Sequence, residues 1–459
     1  MSKQIMGSFR DPCGVVYSEN GVLYRKVDFC YKENYEFFHT SGLFDKLVSS
    51  GLLVPHIEIK DGKYPVYKII KPEVVPFISY PYEWCFSQLK EAALLTLKVQ
   101  KIALEYGMCL KDASAYNVQF VKNRPLFIDT LSFEMLDSDK PWVAYRQFCQ
   151  HFVIPLALMA NTDVRLNQLL KIYIDGIPLD LGIALLPSFS RFKPGLFLHV
   201  YLHAQAQGRF TKKNINQKAK SHKFSSISFY ALIDNLESLI KSLKHKPRAT
   251  GWSDYYSDNV SYDPVSLEHK KEIVSGFLDR IRPKNAWDLG ANIGIFSRIA
   301  GNKGILTISF DLDHACVEKS YRMALRDNEV NILPLVLDIT NPSPGIGWEN
   351  NERASLIERG PVDLVMAFAL IHHLAISNNV PFYKIVHFLS YLCHYLIIEF
   401  IPKEDKMVKT LLAGRSDIFE NYTLGCFERE FSKFFTIRQS FKIKNSQRLL
   451  YLMEIKNDS

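Results

Sequence analysis

Residues 261–459 predict an α/β domain: a mostly parallel sheet covered by helices and closed by an antiparallel hairpin. Three observations carry that prediction. Short apolar runs alternate with segments of helical periodicity, the pattern of repeated strand–helix–strand units. The first run ends in a glycine-punctuated turn that opens directly into a helix. The last two runs are separated only by Asn445-Ser446-Gln447, a link short enough to require a hairpin.

Taken in order, Asp263-Pro264 is a helix start, with Asp as the cap and Pro in the first helical position. Ile273, Val274, Phe277, Leu278 and Ile281 recur at helical spacing until Pro283 ends the run. Strands are expected at 286–289, 305–311, 332–338, 362–368 and 395–401, with helical stretches between them. Strands this apolar belong to a parallel sheet buried on both faces. Segments 436–444 and 448–456 form the closing hairpin.

The chemistry concentrates at the strand ends. The run Trp287-Asp288-Leu289-Gly290-Ala291-Asn292-Ile293-Gly294 lies between the first strand and a helix at 295–302. Glycines there let backbone approach a ligand closely, and the helix start adds unpaired N–H groups and partial positive charge. The spacing Gly290-x-x-x-Gly294 departs from the dinucleotide fingerprint. It resembles motif I of class I S-adenosylmethionine (SAM) dependent methyltransferases, with Asn292, a residue that tolerates left-handed angles, in place of the middle glycine. The resemblance implies a Rossmann-like seven-stranded methyltransferase sheet that binds SAM. Asp288, Gly290, Asn292 and Gly294 would hold the methionine end, and Asp311, ending the second strand, the ribose hydroxyls. Asp338 would meet the adenine amino group. Phe368 ends the fourth strand beside the cofactor. His372 and His373 follow it as catalytic candidates, because an imidazole titrates near neutrality and can take a proton from the acceptor. No metal site is expected.

The first part of the chain carries a second pattern. Asp112 and Asn117 have the D-x-x-x-x-N spacing of a protein-kinase catalytic loop, and Asp129 follows a short strand. Upstream, Asn20-Gly21 marks a hairpin, Lys26 stands on its second strand, and Glu33 or Glu36 would be its helical partner. A long helix is expected over 94–106. The region resembles a reduced α+β protein-kinase-like fold, which implies a nucleotide site of Lys26, Asp112, Asn117 and Asp129 and Mg-ATP as its ligand. Departures are plain: Lys111 replaces the usual Arg, Asp129-Thr130-Leu131 lacks the usual glycine, and no phosphate-covering glycine loop is present.

The expected organisation is a kinase-like domain at 1–205, a basic helical connector at 206–260 and the methyltransferase domain at 261–459. It is similar to that of a group of bacterial proteins joining two such regions. Between Arg209 and Arg248 stand ten basic and two acidic residues, which accounts for the +8 of the whole chain. A solvated linker is the plainer reading of that run; nucleic acid is the other. Trp252 to Tyr256 are read as a lid, and 341–353 as an insertion between the third and fourth strands. The eight cysteines include no CxxC pair, which argues against zinc and against a disulfide framework. No apolar run is long enough to span a bilayer, and a cytoplasmic location is expected. The sequence does not name the methyl acceptor. Two functions follow: a methyltransferase whose N-terminal part recruits substrate or regulates, or a nucleotide-binding regulatory module whose methyltransferase fold only binds ligand.

Overall fold

Three strands, β1 (Ser2–Gln4), β2 (Val16–Glu19) and β3 (Val22–Val27), open the chain as an antiparallel ribbon. Asn20 and Gly21 turn β2 into β3 with φ of 52° and 78°, the two left-handed residues that a two-residue hairpin requires. These features come from a computed structural model that describes residues 2–5, 7–60, 64–204, 226–245, 264–414 and 416–456. The chain forms two units, Met1–Lys246 with Gly345–Arg353, and Pro247–Pro344 with Ala354–Ser459.

In the first unit, β4 (His56–Ile59) and β5 (Lys68–Pro72) complete a five-stranded sheet in the order β1-β2-β3-β5-β4. Helix α1 (Lys32–Thr40) falls between β3 and β4 and buries Tyr35 and Phe38. The long helix α2 (Phe86–Glu105) starts earlier than its expected position at 94. Gln88 Oε1 accepts the Cys85 N–H at 2.9 Å, a local cap that apolar periodicity does not reveal. Two small ribbons then frame the loop at 111–117: β6 (Met108–Leu110) with β9 (Phe133–Met135), and β7 (Val118–Val121) with β8 (Arg124–Phe127). The apolar run near Phe152 is a short buried helix, Ile154–Asn161, and no described helix is long and apolar enough to cross a membrane.

Helix α3 (Ser226–Ser242), which the sequence assigns to the connector, packs on α2 within the first unit. Phe229, Ile233, Leu236 and Ile240 are buried, and Lys101 Nζ meets Asp234 at 2.8 Å. Of the rest of the connector, 206–225 and 246–260, including Trp252 to Tyr256, lie outside the described residues, as does Asp263 in the segment that follows.

The second unit alternates as expected. After α4 (Pro264–Ile281) come β10 (Asn285–Leu289), α5 (Ile295–Asn302), β11 (Leu306–Asp311), α6 (His314–Arg326), β12 (Ile332–Val336), β13 (Val362–Ala367), α7 (Phe382–Ser390) and β14 (Cys393–Phe400). Helices α8 (Lys406–Leu412) and α9 (Leu424–Phe431) lead to the hairpin β15 (Phe435–Lys442) and β16 (Leu449–Ile455). The seven strands order as β12-β11-β10-β13-β14-β16-β15. The first five are parallel, and β16 runs antiparallel between β14 and β15. Ala286, Leu364, Met366 and Ile397 pack with Phe277, Leu278 and Phe296 from α4 and α5 as one core. Strand alternation therefore turns Asp288 and Glu399 to that face, and Leu289, Ala367 and Ile398 to the other.

Candidate functional site

The loop after β10 is held from the neighbouring strand. Gly290 and Ala291 donate backbone N–H groups to Phe310 O, both at 2.9 Å, and Asn292 N–H reaches Asp311 Oδ2 at 2.6 Å. Asp311 Oδ1 accepts the Asp313 N–H at 2.8 Å. The carboxylate that ends β11 thus fastens the glycine loop to the second strand. Gly290, Asn292 and Gly294 have φ of 73°, 54° and 80°, so all three left-handed positions carry residues that accept them. A side chain at Gly294 would also meet Arg298 Nη1 at 2.9 Å. Arg298 reaches Glu329 at 2.9 Å and the carbonyls of Ile293 and Ser320, pinning the loop from behind.

Asp288 is buried, and its Oδ2 accepts Ser297 Oγ–H at 2.6 Å from the first turn of α5. It faces inward to cap that helix, and Ser297 and Ser309 complete the contact at 3.1 Å. Asp313 caps α6 through the Ala315 N–H at 2.8 Å, as expected from its position. Asp338 is half-buried, and its Oδ1 accepts both the N–H and the hydroxyl of Thr340, at 2.8 and 2.6 Å. Phe368 is packed in the core against Phe296, ring centroids 4.5 Å apart. Asp288, Gly290, Asn292, Gly294, Asp311 and Asp338 thus gather at the carboxyl ends of β10, β11 and β12, while Phe368 packs beneath them.

His372 and His373 lie at the end of β13, their rings 4.1 Å apart. His372 is buried, its Nδ1 has no hydrogen-bond partner among the described residues, and burial drives its pKa well below the ordinary value. His373 is half-buried and is lowered by burial as well. Both rings are therefore neutral near pH 7, and His373 is the more accessible proton acceptor.

One feature lay beyond sequence reasoning. Lys270 Nζ meets Glu399 Oε2 at 2.7 Å with both side chains 0% exposed. The same oxygen accepts the Ala369 N–H at 2.9 Å. Arg448 lies 3.6 Å from Glu399 Oε1 and 2.7 Å from Asp405. Ala369, the first residue after the tightly packed Phe368, has φ 47°, a strained angle for a residue with a Cβ. These four charges come from α4, β14, the residue before β16 and the residue that caps α8, too scattered in sequence to form a motif.

Burial pushes the Asp288 carboxyl up to about 7 against the hydrogen bond from Ser297 and the charge of Lys270. Burial also pushes Asp311 up to about 6, against the N–H groups of Asp313 and Asn292. Both folded values lie above the unfolded value of about 3.9. The folded state then holds the proton longer, so this contribution is full below pH 4 and is lost as pH rises through 6 to 7. The stability gap between Asp288→Asn and the parent chain should accordingly move in the variant's favour from pH 5 to pH 8. Thermal melts at both pH values test this, and a gap that does not change with pH refutes it.

In the first unit the sequence expectation for Lys26 is corrected. Lys26 Nζ sits 3.6 Å from the ring centroid of Tyr64, not beside Glu33 or Glu36. The neighbouring Arg25 points the other way and pairs with Asp129. Alternation along β3 explains the exchange, because adjacent residues face opposite sides of a sheet. Burial alone would raise Asp129, but Arg25 and the Ser132 and Leu131 donors bring it below its ordinary value. Ser132 Oγ donates to Asp129 at 2.8 Å and accepts Asn117 Nδ2 at 3.1 Å. Asp112 accepts the Ser114 N–H at 2.9 Å and is raised by burial, then by Asp129. Asp112, Asn117 and Asp129 therefore do come together, with Arg25 in the place foreseen for Lys26. No described group of His, Cys, Asp and Glu could hold a metal ion, and the eight cysteines are free.

The strand order, with the last strand reversed inside the hairpin edge, makes the second unit a mostly parallel, Rossmann-like α/β sheet, consistent with the methyltransferase fold. Across its length the chain is 33% identical over 460 residues to nodulation protein NoeA of Rhizobium meliloti (strain 1021), covering 98% of this chain and 96% of that one. The chain belongs to the NoeA family. No protein-family model matches it. Solved structures with some likeness include 16S rRNA methyltransferase RmtF with S-adenosyl-L-homocysteine, at 19% identity, TM-score 0.29, and coverage of 42% of this chain and 62% of that one. Magnesium protoporphyrin IX methyltransferase ChlM from Synechocystis PCC 6803 matches at 14% identity and TM-score 0.32, over 44% and 98% of the two chains. The bifunctional kinase-methyltransferase WbdD matches at 16% identity and TM-score 0.29, over 48% and 45%.

Proposed function

We propose that the second unit is a SAM-dependent methyltransferase and that the first is a kinase-like domain that recruits substrate or regulates, without transferring phosphate. One observation carries the first reading: in a seven-stranded sheet of this order, the Asp311 carboxylate closes the glycine loop at the edge where such sheets bind ligands. The residues fit the cofactor. Each Asp311 oxygen keeps a lone pair after its backbone contact, enough for two ribose hydroxyls. Leu312 beside it is 62% exposed, an apolar face for the adenine ring, and Asp338 stands on the next strand for the amino group. Gly290, Asn292 and Gly294 keep the loop backbone open to the methionine end, at the positive start of α5. Asp288, turned inward, acts through Ser297 as a positioning residue. SAM, when bound, supplies a methyl group activated by its sulfonium. The chain's part is to align an acceptor lone pair with that methyl, exclude water, and take the acceptor's proton, a task that falls to His373 with His372 behind it.

For the first unit, the ion pair of Arg25 with Asp129 supports the reading without phosphotransfer, since the carboxylate a metal would need is already neutralised. The relative's name makes nodulation the setting we infer. Calorimetric titration of the full chain with SAM should give a dissociation constant near micromolar. No binding of SAM would sink the methyltransferase reading and favour the regulatory one. Mg-ATP titrated alongside should not saturate; saturation that depends on Mg²⁺ would restore a catalytic role to Asp112, Asn117 and Asp129.

A further inference from the structure

Helix α5 crosses from β10 to β11, α6 from β11 to β12 and α7 from β13 to β14, but the helical part of the 337–361 connection is the single turn Trp348–Asn350. A parallel sheet needs cover on both faces. Where the missing crossover would lie, a cavity of about 240 Å³ opens at the carboxyl ends of the strands. Its floor is Leu289, Ala367 and Ile398, each no more than 2% exposed. Phe388 and Leu389 of α7 form one wall and Ile339 of the connection the other. Among the described residues, Thr340 and Lys384, both exposed, are the only polar side chains that line it. Lys384 has no carboxylate partner among the described residues and lies over the ring of its neighbour Tyr383 at 5.6 Å.

The cavity borders the proposed cofactor residues: Thr340, which lines it, donates its N–H and its hydroxyl to Asp338. Leu289 follows Asp288 and Ala367 precedes Phe368, on the opposite face of the same strands. Its lining residues Leu370 and Ile371 lead directly into His372 and His373. We propose that this cavity takes the hydrocarbon part of the methyl acceptor, an amphiphile whose carboxylate lies at Lys384. An apolar cavity binds hydrocarbon because neither loses hydrogen bonds on contact, and a single cation at an exposed rim selects an anionic end. A short hydrocarbon chain is the class of occupant such an apolar space suits. Naming the ligand as acceptor rests on the methyltransferase reading; the site's preference for a hydrocarbon anion does not.

Octanoate and its charge-reversed counterpart octylammonium test this by calorimetry on the full chain, with and without saturating SAM. Octanoate should bind at least tenfold more tightly, with SAM already bound. Lys384→Glu, a surface change, should abolish or reverse that preference and leave SAM affinity unaltered. Ala367→Leu, which fills the floor, should weaken both probes tenfold. Equal affinity for the two probes, or an octanoate affinity indifferent to Lys384→Glu, overturns the proposal. Mutual exclusion of octanoate and SAM would give the cavity to the cofactor and also overturn it. If SAM does not bind but the Lys384-dependent preference persists, the methyltransferase reading falls and the hydrocarbon site stands.

Discussion

Asp311→Ala should raise the dissociation constant for SAM by two orders of magnitude or more, and Asp311→Asn by tenfold to a hundredfold. Hydrogen bonds to a charged acceptor are worth about 1.5–3 kcal/mol each, and about 1.4 kcal/mol is a factor of ten in affinity. Alanine would remove both proposed ribose contacts and also free the N–H groups of Asn292 and Asp313, which the carboxylate holds at 2.6 and 2.8 Å. Asparagine retains one oxygen, but its amide nitrogen would then face a backbone N–H, donor to donor. The loop would loosen as well as lose a ligand contact. Titration calorimetry on each variant measures the loss, and unfolding midpoints in the absence of SAM separate it from damage to the unit. The carboxyl is pushed up to about 6 by burial, so SAM affinity of the parent chain should also fall between pH 7.5 and pH 5, as protonation removes an acceptor. Unaltered affinity in both variants would remove Asp311 from the site.

Asp311 illustrates why this half of the molecule was legible. Strand ends in a parallel sheet are local events: an apolar run stops, a carboxylate follows, and the topology brings successive ends to one edge. Helix α5 was read at its observed limits, and the strands were placed to within a residue or two. The orientation of side chains was less legible. Asp288 reads as a ligand contact in sequence but folds inward onto Ser297, because only packing decides which way a carboxylate at a strand end turns. Lys26 and Arg25 show the same limit. One residue of register on β3 decides which cation reaches Asp129, and two adjacent basic residues leave that choice to the hairpin. The cavity was beyond reach for another reason. It arises from a helix that is missing, and an irregular connection gives no periodic signal.

The buried charges under the site yield the largest expected effect on stability. Glu399→Gln should destabilise the second unit by about 3–5 kcal/mol, the usual cost of stripping one partner from a buried ion pair. It would leave Lys270 without its carboxylate and Arg448 facing an amide. Lys270→Met should cost less, about 1–3 kcal/mol, because Glu399 keeps Arg448 at 3.6 Å and the Ala369 N–H at 2.9 Å. Lys270 is lowered to about 8, first by burial and against the attraction of Glu399. Desolvation therefore outweighs pairing for this amine, and the pair is a poor device for stability alone. Its geometry points to another use: the Glu399 oxygen that holds Lys270 also holds the N–H of strained Ala369, three residues before His372. The double variant Lys270→Met, Glu399→Gln should be more stable than the sum of its parts by about 1–3 kcal/mol, since the two residues share one contact. A chain of two units need not unfold in one step, so hydrogen exchange in β14 is the appropriate measure. Exchange there should accelerate most in Glu399→Gln, and SAM affinity should drop with it as the Ala369 turn relaxes. Strictly additive effects, or a Glu399→Gln unit that exchanges like the parent, would show that the turn is held by packing and not by this charge.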